Sequence, residues 1–365
     1  MEETSKKIGR KSFLKKATLA GAGLITASCS TNESSNAPAI ITKKRVRWRM
    51  VTTWPANFPV LGEGCNKLAK WVEDMSDGQF TIKVYGSGEL APPLETFDAV
   101  SDGAVEMGNG APYYWGGKMP AAPIFCTIPF GMNAQQMNAW MYGGDGYKLW
   151  KELYAPFDVI PFPGGNTGPQ MGGWFNKKIN GPGDFKGLKM RIPGLGGKVI
   201  EKLGGAAVVS PGSEIYTNLE RGVIDATEWV GPYHDYLMGF YKIAKYYYFP
   251  GWHEPGPLLE NMVNREAWEK LPKSYQAILE TASARQNIWS ISVFEAKNNE
   301  YLNKIKTESD VEILQFSEDT LNALKNATDE VMENLVSKDD KAKKIYDNYN
   351  QFRKGIEAWN SYDVL

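Results

Sequence analysis

Cysteine and histidine are scarce in this 365-residue chain, which holds three cysteines and two histidines. Cys29 lies near the N-terminus, so the folded part keeps only Cys65 and Cys126. Two cysteines do not make a disulfide scaffold, and we expect buried thiols, although a disulfide between them stays open. His234 and His253 stand in unrelated contexts, so no zinc site of the Cys/His type is predicted.

The chain also lacks the motifs of several enzyme classes. It contains no G-x-S-x-G nucleophile elbow and no Walker-type loop, and the stretch GLGGKV has the spacing of neither phosphate-binding signature. The formal net charge is −1, of which +4 lies in residues 1–28, leaving −5 for the rest. This mildly acidic balance argues against a nucleic-acid partner, which needs a basic stripe. We predict a protein that is not an enzyme and has no catalytic residues.

Long hydrophobic runs are absent as well. No segment reaches the roughly 18 apolar residues that a membrane-spanning helix requires. Residues 1–28 join a basic stretch to the short apolar run ATLAGAGLITAS, a pattern typical of a signal peptide. Within them, GRKSFLKK resembles a twin-arginine signal in which Lys11 replaces the second arginine, so the export route stays open.

The predicted signal peptide ends at a cysteine. Cys29 follows Ala27 and Ser28, as in a bacterial lipobox, although Thr26 replaces the usual aliphatic residue. A lipid on Cys29 would anchor the protein, and residues 29–44 would form a polar, flexible tether. We expect a location in the periplasm or outer cell envelope. The alternative is an ordinary signal peptide with an unmodified cysteine.

Apolar periodicity predicts an α/β protein in which strands and helices alternate twice. RVRWRMVTTW, FTIKVYG and AVEMGNG are predicted as strands around two helices, and LKMRIPG, AAVVS and VIDATEW repeat the pattern after residue 165. Such βαβ units form a largely parallel sheet. From residue 265 onward the pattern is mostly helical, with Ser317 as a predicted helix cap.

Two α/β lobes followed by long C-terminal helices are typical of a two-lobed periplasmic binding protein, resembling type II, which closes about a hinge on a small ligand. We predict one lobe from residues 45–167 with part of 257–306, and a second from 168–256 with part of 307–365. The helices exceed what one lobe needs as cover, which favours a homodimer. Enzymes share this α/β pattern, so the fold alone does not decide the function.

Aromatic residues make up 12% of the chain and cluster in APYYWGGKMP, DATEWVGPYHDYL and YYYFPGWHEPG. Aromatic side chains bounded by glycine and proline are typical of pocket walls, although packing of two large lobes explains them equally well. Arg191 ends the predicted strand LKMRIPG, at a sheet edge where α/β proteins bind ligands. Its guanidinium group can bind a carboxylate through two hydrogen bonds, or it is an ordinary surface arginine.

The stretch FKGLKMRIPG resembles the strand signature of the DctP-type solute-binding proteins of TRAP transporters. GAVEMGNGAPYYW and NLERGVIDATEW extend the resemblance, which runs from about residue 46 to the end. Within the family, the chain is similar to the branch that binds 2-oxo and 2-hydroxy monocarboxylates, such as pyruvate and lactate, together with a cation. The resemblance implies capture of a small organic acid and its delivery to TRAP membrane permease subunits.

The resemblance also implies roles for individual residues. Arg191 would bind the substrate carboxylate, and the side-chain oxygen of Gln170 would contact both cation and substrate. The cation would be held by four residues that offer oxygen atoms: Gln170, Glu228, Trp229 and Glu254. Three aromatic residues would wall the pocket: Tyr113, Trp115 and Trp252. One carboxylate with neutral oxygens suits sodium, whereas two carboxylates favour calcium.

Several alternatives stay open. Glu228 would repel a plain C4-dicarboxylate unless a cation lay between them, which favours a 2-oxo or 2-hydroxy acid; otherwise Glu228 is a hinge or capping carboxylate. The substrate could instead be a C4-dicarboxylate, a sugar acid or a larger branched oxo acid. A glycan-active envelope enzyme and a sensory module for a membrane kinase are the remaining alternatives, although no pair of carboxylates is nominated for glycan hydrolysis.

Overall fold

A computed structural model describes residues 44–362 of the chain. The predictions for the signal peptide, for lipidation of Cys29 and for almost all of the tether lie outside the described residues. Within residues 44–362, no helix has the length and apolar character needed to cross a bilayer.

Eleven strands in the described residues form one five-stranded and one six-stranded sheet. In chain order they are β1 (Val46–Thr52), β2 (Phe80–Tyr85), β3 (Met107–Gly110), β4 (Val159–Asn166), β5 (Gly173–Phe175), β6 (Lys189–Arg191), β7 (Ala206–Val208), β8 (Ala226–Thr227), β9 (Tyr246–Phe249), β10 (Leu258–Asn264) and β11 (Glu312–Gln315). The first sheet has the order β2-β1-β3-β10-β4, and the second has the order β11-β9-β5-β8-β6-β7.

Helices surround both sheets. In the described part of the chain they are α1 (Leu61–Met75), α2 (Thr96–Ser101), α3 (Pro123–Cys126), α4 (Ala134–Gly143), α5 (Gly146–Tyr154), α6 (Gly194–Lys202), α7 (Gly212–Glu220), α8 (Pro232–Leu237), α9 (Arg265–Glu269), α10 (Lys273–Glu308), α11 (Glu318–Lys338) and α12 (Asp340–Asn360). The predicted α/β fold with long C-terminal helices is confirmed.

Strand direction differs from the prediction of a largely parallel sheet. β1 pairs in parallel with β2 and β3, and β6 pairs in parallel with β7 and β8, as βαβ units require. However, β10 is antiparallel to β3 and β4, and β5 is antiparallel to β8 and β9. β5 and β10 each follow a strand of the other sheet, so no crossover helix within one sheet sets their direction.

The apolar spacing of α1 explains its packing. Leu61, Cys65, Leu68 and Val72 recur at intervals of three and four residues, and all four are buried in a helix that packs against β2 and α10. Cys65 is therefore a core residue, and burial raises the pKa of its thiol to about 12. Cys126 is likewise buried, and both thiols are free, which confirms the prediction and excludes the disulfide in this structure.

Helix α10 connects the two halves of the molecule. Its 36 residues span about 54 Å at 1.5 Å per residue, and it packs against α1, β4 and α8. Helix α11 then packs on α6, whereas α12 returns to α4 and α5 beside the first sheet. The hydroxyl of Ser317 accepts a hydrogen bond from the Thr320 amide at 3.2 Å, which confirms the predicted cap of α11.

Candidate functional site

The chain passes between the two sheets in residues 167–172 and 250–257, and these crossings carry three of the predicted site residues: Gln170, Trp252 and Glu254. Gln170 and Glu254 are buried and face each other across the crossings. The Gln170 side-chain amide donates to Glu254 Oε2 at 2.7 Å, and its backbone amide donates to the Glu254 carbonyl at 3.3 Å. A Cβ atom at Gly251 would lie 2.1 Å from the Gln170 carbonyl oxygen, so only glycine permits this approach.

Arg191 and Glu228 lie at the ends of β6 and just beyond β8. Because these strands are parallel neighbours, their carboxyl ends meet at one sheet edge. The guanidinium Nη1 of Arg191 donates to Glu228 Oε1, and each side chain is 1% exposed. The alternative of an ordinary surface arginine is therefore wrong.

The Nε and Nη2 donors of Arg191 are also engaged. Its Nε and Nη2 donate to the Ser210 carbonyl at 3.3 and 3.2 Å, and Nη2 donates to the Tyr114 hydroxyl at 3.4 Å. The guanidinium carbon lies 5.5 Å from the centroid of the Trp229 ring, a cation–π distance. Burial is the largest single influence and lowers the pKa of Arg191, but the charge of Glu228, together with Tyr114 and Tyr113, more than offsets it, so the pKa is raised.

With a second buried carboxyl group, that of Glu254, the site has more carboxyl groups than cationic groups. Burial of Glu254 raises its pKa well above the ordinary value, the nearby charge of Glu228 adds to this rise, and Arg191 opposes it. One guanidinium group thus faces two buried carboxyl groups. Such an arrangement is stable either with a proton on Glu254 or with a cation beside both groups.

His253 joins the two carboxyl groups and was not predicted from the sequence. One ligand atom each of Glu228, His253 and Glu254 lies within 4.8 Å of the other two. His253 is 1% exposed, and neither ring nitrogen has a hydrogen-bond partner. The signal available in the sequence was its place directly before Glu254 in GWHEPG, in a chain with two histidines.

The site residues fit a bound cation. The side-chain oxygen of Gln170 is buried without a hydrogen-bond partner, although the amide nitrogen of the same side chain has two. An unpartnered buried oxygen beside two carboxyl groups is the donor set that hard cations prefer. The residues present are therefore compatible with the sodium or calcium ion that the resemblance implies.

A cavity of about 10 Å³ lies beside these groups, room for about one water molecule. Its walls come from both halves of the fold: Trp54, Leu61, Tyr113, Thr167, Gln170, Trp229, Val230, Glu254 and Leu259. Tyr113 lines the cavity as expected, whereas Trp115 and Trp252 do not. Trp115 donates instead to the buried carboxyl group of Glu260, and Trp252 packs 6.0 Å from the Phe130 ring.

Trp54 is a wall residue that the sequence reading missed. Its ring lies 6.3 Å from that of Trp229 in an edge-on contact, and both residues line the cavity. Its indole nitrogen donates to Asn109 at 2.6 Å, Asn109 donates to Asn261 at 2.8 Å, and Asn261 donates to Gln286 of α10 at 2.9 Å. This buried amide chain, from Gln286 to Trp54, fixes the orientation of the wall.

Comparison with known proteins identifies the family. The family model for the bacterial extracellular solute-binding proteins of family 7, DctP, matches residues 50–339. This chain belongs to that family. Over 356 residues, the solute-binding protein is 43% identical to a monocarboxylate 2-oxoacid-binding periplasmic protein of Nostoc sp., covering 98% of this chain and 97% of the relative.

Two solved structures of TRAP periplasmic solute-binding proteins resemble this solute-binding protein along most of its length. One, from Pseudoalteromonas atlantica with bound sodium and pyruvate, has 42% identity and a TM-score of 0.85, covering 87% of this chain and 97% of that one. The other, from Colwellia psychrerythraea with bound calcium and pyruvate, has 43% identity, a TM-score of 0.85 and the same coverage of 87% and 97%. These relatives are named as solute-binding proteins rather than enzymes.

Proposed function

We propose that this protein binds a small 2-oxo or 2-hydroxy monocarboxylate, such as pyruvate or lactate, together with a sodium or calcium ion. The observation that carries the proposal is the pair of buried carboxyl groups, Glu228 and Glu254, facing the single guanidinium group of Arg191. A site that offered the ligand only Arg191 would have no use for two carboxyl groups. A cation between protein and ligand would turn both from repelling groups into binding groups.

The proposed roles follow from the contacts. Arg191 binds the ligand carboxylate and gives up its ion pair with Glu228, whose side chain then turns to the cation. The cation would be held by the Gln170 side-chain oxygen, the Glu228 carboxylate, the Trp229 carbonyl and Glu254. When bound, it supplies positive charge that the carboxylate oxygen and C2 oxygen of the acid share. Tyr113, Trp54 and Trp229 close around the carbon chain.

The size and polarity of the cavity favour a small monocarboxylate over the alternatives. Its volume of about 10 Å³ requires the walls to separate before any organic acid enters, and a three-carbon acid requires the least separation. Arg191 lies beside this cavity, and the described residues that line it include no lysine or arginine, so no second cationic side chain is available for the other carboxylate of a C4-dicarboxylate. A sugar acid would need several hydrogen-bond donors, whereas the Thr167 hydroxyl and the Gln170 amide already donate to protein acceptors and the Trp229 indole nitrogen is a buried unpaired donor in the lining.

Hinge motion is the proposed route of entry. Residues 45–167 with part of 257–306 would move as one lobe, and residues 168–256 with part of 307–365 as the other. The crossing segments, which carry Gln170 and Glu254, would act as the hinge. Ligand binding would shift the population toward the closed form, which an ion-gradient-driven TRAP permease would recognise.

Location and assembly belong to the same proposal. A lipid on Cys29 would tether the protein in the periplasm or at the outer cell envelope, close to its permease. The long helices α10, α11 and α12 would allow two copies to pack as a homodimer. Metabolic labelling with a fatty acid tests the first statement, with Cys29→Ser as the unlabelled control, and sedimentation at micromolar concentration tests the second.

A thermal-shift screen of the purified protein tests the proposed ligand. We expect pyruvate and lactate to raise the melting temperature in sodium or calcium, and to do so much less in a bulky organic cation with a chelator. A response to succinate or a sugar acid without one to pyruvate would favour the alternative acids. No response to any small carboxylate would reject the proposed function.

A further inference from the structure

The unpartnered imidazole of His253 is the feature that the proposed function leaves unused. It is buried at 1% exposure beside the Arg191–Glu228 ion pair, and neither ring nitrogen makes a hydrogen bond. Its Nε2 lies 3.5 Å from Glu228 Oε2, which is too long for a good hydrogen bond. A buried imidazole normally has a partner, so this nitrogen is available for a further contact.

The positions of the three side chains suit a single ion. Two atoms that bind one ion are at most about 4.4 Å apart for zinc and about 5 Å apart for calcium, twice the usual bond length. The ligand atoms of Glu228, His253 and Glu254 lie within 4.8 Å of one another. A small inward shift of these side chains therefore brings all three to one transition-metal ion.

The type of donor distinguishes between classes of ion. Sodium and calcium bind oxygen and gain little from imidazole, whereas first-row transition metals bind imidazole nitrogen well. Two carboxylates with one imidazole form a ligand set of the second kind. The Gln170 oxygen and the carboxylates can serve hard ions, so His253 is the group whose contribution depends on the metal.

We propose that His253 determines the metal preference of this site, by adding a nitrogen ligand that allows a first-row divalent transition metal to replace sodium or calcium. This inference rests on the proposed cation-assisted function and extends it. The consequence is a receptor whose ligand affinity responds to transition-metal supply as well as to sodium or calcium.

Cobalt(II) and manganese(II) binding to the untagged protein tests the proposal after chelator treatment. Because the chain has two histidines, His253→Gln removes the proposed nitrogen ligand, and His234→Gln is the matched control for loss of a buried imidazole outside the cluster. We expect His253→Gln to weaken cobalt binding by about 10- to 100-fold, with a much smaller effect on calcium. His234→Gln should bind cobalt like the wild type.

Pulsed electron paramagnetic resonance of the wild-type manganese complex gives a readout that does not depend on a folded variant. Coupling to an imidazole nitrogen supports the proposal, and a manganese complex without that coupling overturns it. Cobalt affinity that is unchanged in a folded His253→Gln variant also overturns it. Pyruvate calorimetry in calcium separates the two proposals: if pyruvate binds but cobalt affinity ignores His253, only this inference fails. If the wild type binds pyruvate equally well with and without a small cation, both fail.

Discussion

Glu228→Gln removes the ionic partner of a fully buried arginine at the edge of the second sheet. In sodium or calcium, the variant loses a charged cation ligand, and we expect weaker pyruvate binding by about 1.5–3 kcal/mol, roughly 10- to 150-fold. Without a small cation, we expect Glu228→Gln to have the opposite effect and to strengthen pyruvate binding. Pyruvate no longer has to displace the Glu228 carboxylate from Arg191, so the variant should bind at least about tenfold more tightly than the wild type.

Isothermal titration calorimetry with pyruvate measures the change in affinity with and without a small cation. Wild type and variant are compared in sodium, in calcium, and in a bulky organic cation with a chelator. Glu260→Gln is the matched control, because Glu260 is also a buried carboxyl group, but it is hydrogen-bonded to Trp115 and Tyr154 outside the cavity. Breaking the buried ion pair lowers the free energy of unfolding by at most about 3–5 kcal/mol, so thermal unfolding must show that each variant is folded.

Two outcomes would refute this reasoning. If Glu228→Gln binds pyruvate more tightly in all three solutions while the wild type ignores the cation, no cation bridges Glu228 and the ligand. If the variant binds more weakly even without a small cation, the Glu228 carboxylate does not compete with the ligand for Arg191. The Glu260→Gln control should follow the wild type throughout.

Three further predictions follow from single positions. Arg191→Lys keeps the charge but loses the planar donor fork, so pyruvate affinity falls by about 1.5–3 kcal/mol; calorimetry within twofold of wild type would contradict this. Gly251→Ala places a Cβ 2.1 Å from the Gln170 carbonyl and should weaken pyruvate binding, unlike Gly117→Ala, whose Cβ meets no atom within 4 Å. Burial lowers the pKa of His234 to about 3 from 6.5, so only the unfolded chain takes up its proton between these values. Relative to His234→Gln, the wild type should lose about 1.4 kcal/mol of unfolding free energy per pH unit below pH 6.5. If urea unfolding gives both proteins the same pH dependence of this free energy, the prediction is wrong.

Local features of this fold could be predicted from the sequence because they depend on neighbouring residues. The alternation in β1, the apolar spacing of α1 and the cap at Ser317 each need only a few adjacent side chains. The position of Arg191 at a strand end followed from the same kind of pattern. Strand direction in β5 and β10 did not, because it depends on a chain that changes sheets.

The site was predictable in part for similar reasons. The resemblance implied that Arg191, Gln170, Glu228 and Glu254 belong to one site, and the structure places them together. Their individual roles stay predictions. Which tryptophan forms a wall could not be read from composition, since neither the predicted strand that Trp54 ends nor the aromatic stretch around Trp115 shows which side chain reaches the cavity. The choice depends on whether a side chain points to the core or the cavity, which only tertiary packing decides.

Arg191 also contributes to the folded interior, because its donors contact Glu228, the Ser210 carbonyl and the Tyr114 hydroxyl, all in buried surroundings. Because these hydrogen bonds exist without ligand, Arg191 must exchange some of them for the ligand carboxylate on binding. Variants at this position should therefore lower both ligand affinity and the free energy of unfolding.

The amide chain from Gln286 to Trp54 links the orientation of a cavity wall to a residue of α10 that does not line the cavity. Asn109 and Asn261 connect Gln286 of α10 to the wall residue Trp54 through three hydrogen bonds. A substitution of Gln286 would leave every cavity-lining residue unchanged and remove one of the two hydrogen bonds by which Asn261 is attached to α10. Related receptors can thus diverge in the acid they prefer while keeping identical pocket residues, and an engineer can search α10 for new selectivity without touching the cation ligands.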